Sequence, residues 1–239
     1  MWETRRSAEQ ALSQSLRPYS DLLSEAFASV DVCVGRLERV EAPLGRVCAL
    51  VLIKARNLAL ACYSLSLDAL AQEAGALFRP LIESLELLEY LRQDPQRVTE
   101  ALEDRLPKAG VIARRIHGKF KRLRDYLNAH ASHLSVSPEA MGHLVDLRVG
   151  QLQTIQRYSE PVLRRNLRTL LTVVVWLATE AANCVLVAEG RVDDALGDSV
   201  DDLKRRAFEL FEDRGSAGGA DIPSCGTVKK PGQAMDRTR

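Results

Sequence analysis

The first part of the chain repeats apolar residues at alternating intervals of four and three positions. On an α-helix this spacing forms a continuous apolar stripe, which is typical of helices that pack lengthwise against one another. Pro18 lies inside the stripe and predicts either a kink or the first turn of a new helix. The stripe is long, so we expect it to offer surface beyond what one intrachain neighbour covers, and to support self-association. Its members are Leu12, Leu16, Tyr19, Leu23, Ala26, Val30, Cys33, Leu37 and Val40.

Prolines and capping residues divide the rest of the chain into further helices. Pro43, Pro95 and Pro161 stand where prolines commonly open helices, and Asp68 is expected to cap another. No segment alternates apolar and polar residues as a half-buried strand would. The chain is therefore predicted to be all-α, a bundle of roughly six to eight helices, the long ones antiparallel. The predicted helices cover residues 44–67, 69–92, 95–106, 108–128, 161–189 and 191–214, and one more begins at Pro138.

Composition separates the chain into two parts. Residues 1–214 are predicted to form a single helical domain, since 46% of the whole chain is hydrophobic, enough for a sizeable core. Residues 215–239 are rich in glycine, serine, proline and lysine and contain few large apolar residues. Such a segment cannot bury enough surface to offset its ordering entropy, so we expect a disordered tail.

The sequence predicts a cytoplasmic protein that does not enter a membrane. Its first residues turn polar without an apolar stretch, unlike a secretory signal. Thr172, Thr179, Glu180 and Asn183 interrupt the most apolar segment, so a buried bundle helix is favoured there over a membrane span. The five cysteines stand singly, which is typical of small buried side chains in a reducing compartment.

Charge and motifs exclude several classes of function. Lys plus Arg total 33 against 32 Asp plus Glu, so the net charge of +1 gives no overall attraction to nucleic acid or anionic lipid. The chain has no glycine-rich phosphate loop and no hydrolase nucleophile motif. Its four histidines match no familiar zinc spacing, and Glu83, Glu86 and Glu89 lack the histidine partner of a di-iron site. We therefore expect neither a metal nor a cofactor.

A first candidate site lies where charged residues interrupt two apolar helices. Arg79 and Glu83 are four positions apart among leucines, which predicts a mostly buried pair on one helix face. Lys54 and Arg56 on the preceding helix can face this pair or water, and Glu180 lies on a polar seam that can reach Arg79. Two interpretations stay open: a buried ion-pair network that fixes helix register, which we favour, and a pocket for a small anionic ligand.

Three short strings between residues 50 and 134 follow a recognisable order. They are Lys54-Ala55-Arg56-Asn57, then Arg79-Pro80-Leu81-Ile82-Glu83, then Phe120-Lys121-Arg122-Leu123-Arg124-Asp125-Tyr126 leading to His130. This order resembles a loose group of bacterial all-helical proteins of unknown function, whose signature is an R-x-x-x-E helix followed by an aromatic-containing segment that ends in histidine. The resemblance implies a helical domain and no activity.

A second candidate site is the segment that begins at Arg124 and Asp125 and ends at His130. It resembles the arginine, polar residue, spacer and histidine motif of the HEPN ribonucleases, small helical domains that dimerise across that motif. The resemblance implies a metal-independent endoribonuclease in which the histidine takes the 2′-hydroxyl proton and the arginine holds the phosphate. Six positions is not a same-face spacing on a helix, so this interpretation requires the helix to end between Arg124 and His130.

A third feature is a run of basic residues without acids, which a second set near residue 165 extends. If the two sets are neighbours they form a surface for RNA phosphates, although a solvated charged face is the favoured interpretation. The candidate patch consists of Arg114, Arg115, Lys119, Lys121 and Arg122. Taken together, the sequence predicts a self-associating helical scaffold or interaction module, with the ribonuclease and the anion binder as alternatives.

Overall fold

Prolines set where three of the longest helices begin. Pro18, Pro43 and Pro161 each occupy the first turn of a helix, where a missing N–H leaves no helical hydrogen bond unmade. The computed structural model describes residues 2–118, 120–130, 145–146, 151–152 and 157–212. Its helices are α1 (Trp2–Ser13), α2 (Arg17–Leu37), α3 (Pro43–Leu67), α4 (Ala71–Gln93), α5 (Val98–Leu102), α6 (Ala109–Arg115), α7 (Lys121–His130), α8 (Glu160–Glu189) and α9 (Asp194–Glu212), with a 3-10 turn at Pro95–Arg97.

The all-α prediction is confirmed, with one small exception. Two short strands, β1 (Val145–Asp146) and β2 (Gln151–Leu152), pair antiparallel, so the expectation of no strand is wrong in detail. The helix expected from Pro138, the tail 215–239 and Lys119 lie outside the described residues.

The core is built around α8, which packs against α2, α3, α4 and α9. Ion pairs near the C-terminal ends of α2 and α4 reach the C-terminal half of α8 at Glu189 and Glu180, so α8 runs in the same direction as those two helices. Short connections make α3 antiparallel to both of its sequence neighbours. Buried apolar residues from α1 through α9 form one continuous cluster, consistent with a single domain.

The apolar stripe of the first segment is buried within the chain itself. All its members are buried except Val40, which follows the end of α2 and is half-buried. Helices α1, α3, α8 and α9 all contact α2. The expectation that this stripe offers surface for self-association is therefore wrong, because four intrachain neighbours cover it.

Two other local predictions differ from the structure. The helix expected over residues 108–128 is divided into α6 and α7, because His117 and Gly118 both have φ near 63° and end the first piece. Asp68 does not cap α4, since its carboxylate accepts a hydrogen bond of 2.7 Å from Nε of Arg5 on α1. By contrast, Asp94 does cap the turn after α4 by accepting from the N–H of Gln96.

Helices α3 and α8 are the two described helices long and apolar enough to cross a membrane by length and composition. The most apolar window of α8 is 67% buried, whereas that of α3 is only 33% buried. The burial of α8 is typical of a core helix. The low burial of α3 means that much of its apolar surface is not covered within the chain.

Arg36, near the C-terminal end of α2, forms ion pairs with Glu189 at the end of α8 and with Asp193 just after it, and we call this arrangement the arginine clasp. Nη2 of Arg36 lies 2.6 Å from Oε2 of Glu189, and its Nη1 lies 2.6 Å from Oδ2 of Asp193. Hydrogen bonds from Arg36, and secondarily from Arg191, lower the pKa of Glu189 from an ordinary 4.5 to about 2.

We expect the clasp to be visible in acid unfolding. A depressed folded-state pKa means that the pairing of Glu189 stabilises the fold fully above pH 4.5, and that this contribution is lost as pH falls towards about 2. Glu189→Gln should therefore be less stable at pH 7 and lose less stability over that acid range than the wild type. Urea unfolding at several pH values measures both, with the exposed Glu73→Gln as control. If the free energy of unfolding of Glu189→Gln falls with pH as steeply as that of the wild type, the clasp is contradicted.

Two glycines offer a matched test of packing. A Cβ on Gly45, at the start of α3, would lie 2.8 Å from the carbonyl oxygen of Leu37, which is backbone and cannot swing away. We expect Gly45→Ala to lower the free energy of unfolding by about 1–3 kcal/mol. Gly35 on α2 has nothing within 4 Å of the same position, so Gly35→Ala should raise it by roughly 0.5–1 kcal/mol. Denaturant titration measures both, and a stabilised Gly45→Ala would refute the close approach.

Candidate functional site

The pair of Arg79 and Glu83 forms, but it is not mostly buried. Nε of Arg79 lies 3.2 Å from Oε1 of Glu83, and the side chains keep 39% and 29% of their exposure. The expected burial is wrong because α4 turns Phe78 and Ile82 into the core and leaves the pair at the edge of that face. A pair at such exposure contributes about 0–1 kcal/mol.

The other residues expected beside Arg79 lie elsewhere. Lys54 points to water. Nε of Arg56 lies 2.5 Å from Oδ1 of Asp31 on α2, and Glu180 binds Arg92 instead of Arg79. The structure therefore does not bring the predicted network together.

Two ion pairs with buried carboxylates lie instead along α4, one to α7 and one to α8. Together with Glu89 on α4, a third buried carboxylate, we call them the buried charge cluster. Nη1 of Arg124 lies 3.0 Å from Oε2 of Glu86, and Nε of Arg92 lies 3.0 Å from Oε2 of Glu180. All three carboxylates are buried. An ion pair placed there fixes how α7 sits on α4, because removing one partner leaves a buried charge uncompensated.

Burial raises the pKa of Glu86, and the opposing attraction of Arg124 favours the ionised carboxylate. From the sequence, Glu86 and Glu89 were weighed only as ligands of a di-iron site. The available signal was their position three residues apart, beside the core residues Leu85 and Leu88 of α4. Their partner, Arg124, lies 38 positions away in the chain, so no local spacing reveals it.

The ribonuclease motif does not assemble among the described side chains. Helix α7 continues through His130, so the helix end expected between Arg124 and His130 is absent. Six positions on a continuous helix place two residues about 240° apart around the axis. Arg124 is bound to Glu86, and Asp125 accepts a 2.6 Å hydrogen bond from Lys121 on the exposed side. The side chain of His130 lies outside what the structure describes.

The predicted RNA patch is only partly a free basic surface. Nη1 of Arg115 donates at 2.5 Å to the hydroxyl of Tyr90, which in turn donates to Glu100. Lys121 is paired with Asp125. Arg114 and Arg122 are exposed. Two of the described members are therefore held by the protein itself.

An unpredicted surface lies on the outer side of α3. We call Arg46, Leu50, Ile53, Asn57 and Leu60 the α3 outer face. All five residues are exposed, including Leu50 at 67% and both Ile53 and Leu60 at 37%. They follow one another at intervals of four, three, four and three, the spacing of a coiled-coil seam. Near the C-terminal end of α3, Arg5 of α1 donates a hydrogen bond to Ser64, so the α3 outer face ends before this residue.

The inner side of α3 packs against the rest of the bundle. Its buried positions include the small residues Cys48, Ala49, Ala55, Ala59 and Cys62, together with the large residues Leu44, Leu52 and Leu67. Leu50, Ile53 and Leu60 lie on the opposite side and stay exposed. A helix that is apolar on both its buried and its exposed side is suited to contacts on both sides.

Among the described residues, no group of three or more His, Cys, Asp or Glu side chains is arranged to hold a metal ion. No protein family, curated protein or solved structure matches this chain. The resemblances to bacterial helical proteins and to HEPN ribonucleases therefore stay predictions.

The buried charge cluster predicts unequal effects of two substitutions on α7. Arg124→Ala leaves Glu86 buried without its cation, so we expect the free energy of unfolding to fall by about 3–5 kcal/mol. Lys121→Ala removes an exposed pair and should cost less than about 1 kcal/mol. Adding Glu86→Gln to Arg124→Ala should recover part of the loss, because it removes the uncompensated charge. Denaturant unfolding compares the three variants. Equal stability of Arg124→Ala and Lys121→Ala would show that Arg124 is free in solution.

Proposed function

We propose that this protein is a self-associating helical interaction module that pairs through the α3 outer face. The observation that carries the proposal is the exposure of Leu50, Ile53 and Leu60 at coiled-coil spacing on a helix whose most apolar window is only 33% buried. Scattered exposed leucines are ordinary on a monomer, but large exposed apolar residues aligned at coiled-coil spacing on one helix face indicate an interaction surface.

The polar groups around the stripe also support a protein partner. Asn57 lies in the middle of it, Lys54 beside it, and the Arg56–Asp31 ion pair along its other edge. An apolar centre with a polar rim is the usual composition of a protein interface. A scaffold of this kind needs no cofactor, and we place it in the cytoplasm.

The alternatives receive less support. In the ribonuclease hypothesis Arg124 must hold a phosphate, but it is bound to Glu86. An anion binder at Arg79 and Lys54 would need both cations for the ligand, and Arg79 is already paired with Glu83. Among the described residues, the α3 outer face is thus the surface best suited to a function.

We expect the full chain to be a dimer at micromolar concentration, measured by size-exclusion chromatography with light scattering. Leu50→Glu should shift it to a folded monomer with unchanged circular dichroism, because the residue contacts solvent within one copy and would place a charge in the interface. Val32→Glu is the matched control, since Val32 is also exposed but lies on α2 outside the stripe. A monomeric wild type, or a Leu50→Glu variant that stays dimeric, would contradict the proposal.

A further inference from the structure

Asn57 interrupts the apolar residues of the α3 outer face. Coiled-coil positions a and d alternate at intervals of three and four, so Leu50 and Asn57 take position a, and Ile53 and Leu60 take position d. Within the described part of one copy, Asn57 is exposed and its side-chain amide makes no hydrogen bond. Its amide would be buried without a partner if a purely apolar surface covered it.

We infer that a second copy of this chain covers the face, with the two α3 helices side by side in the same direction and their Asn57 side chains paired on the two-fold axis. The inference rests on the proposed self-association and specifies its partner and orientation. In a parallel pair each a position meets its own copy, so each Asn57 amide can donate to the carbonyl oxygen of the other.

An antiparallel pair would be poorer. Reversing one helix places each a position opposite a d position, so Asn57 would face Ile53 or Leu60 of the other copy. Its polar atoms would then be buried without partners, at a cost of about 1–3 kcal/mol for each unsatisfied group. The single polar residue of the stripe thus selects one orientation.

The charges beside the stripe select the same orientation. Arg56 stands at position g, on the side of α2, and its ion pair brings the half-exposed carboxylate of Asp31 to that edge. Lys54 stands at position e on the opposite edge, exposed to water. In a parallel pair edge g meets edge e of the other copy, so the edge that carries the Asp31 carboxylate lies against the edge that carries Lys54. An antiparallel pair sets edge e against edge e, so that the two Lys54 side chains lie along the same edge.

One charge at the end of the stripe fits either arrangement. Arg46 occupies the first d position, near the start of α3, where its long side chain can extend past the seam into water. The paired region is therefore the segment from Leu50 to Leu60, which contains two a and two d positions. Its four seam residues supply both the apolar contact and the register.

Disulfide trapping tests the orientation directly. Asn57→Cys is made in the full chain with Cys225→Ser, so that the remaining native cysteines are the buried ones, and is oxidised with diamide. Two thiols on the axis are held at high effective concentration, so we expect about tenfold or more covalent dimer than for the exposed control Val32→Cys. Circular dichroism checks that both variants are folded, which their exposed positions favour.

A mixture of Leu50→Cys and Leu60→Cys, each in the same Cys225→Ser background, separates failure of this inference from failure of the proposed function. A dimeric wild type for which the mixture forms covalent dimer, while neither of its two variants alone nor Asn57→Cys does, would show an antiparallel pair, which overturns the orientation alone. A wild type that is monomeric by light scattering would overturn both proposals. Co-flotation of such a monomer with phosphatidylglycerol vesicles, lost in Leu50→Glu, would assign the face to a lipid surface.

Discussion

The fold depends on the burial of α8, whose apolar residues occur on all sides. Such a helix needs neighbours around its whole circumference. Helices α2, α3, α4 and α9 supply them. Because α8 runs parallel to α4, the chain must return to the starting end of the bundle between the two helices, and α5, α6 and α7 lie in that connection. Glu180, buried on α8, is compensated by Arg92, so the central helix carries no unpaired charge into the core.

The burial of α8 leaves α3 with an outward surface. The buried side of α3 combines small residues with Leu44, Leu52 and Leu67, whereas Leu50, Ile53 and Leu60 lie on the opposite side and are exposed. The apolar stripe of the first segment, which the sequence predicted to be the surface for self-association, is buried by neighbouring helices within the chain. Self-association thus remains the proposed function, but we assign it to the α3 outer face and not to the stripe on α2.

Features set by neighbouring residues were predictable, whereas features set by tertiary partners were not. The starts of α2, α3 and α8 follow from prolines, and the Arg79–Glu83 pair follows from its i, i+4 spacing. The break after α6 depends on the positive φ of His117. A histidine in the sequence does not by itself predict this backbone conformation. The partners of Arg124 and Arg92 depend on which helices meet, and an apolar helix pattern does not show which of its faces the bundle will leave exposed.

Hydroxyl-radical footprinting of the unmodified protein at low and high concentration tests the role of α3 most directly, because it measures the accessibility of individual side chains in solution. If two copies pair through the α3 outer face, oxidation of Leu50, Ile53 and Leu60 should fall as concentration rises. Val192, exposed in the connection between α8 and α9, should react equally at both concentrations. Oxidation of the three α3 residues that does not change with concentration would contradict the account.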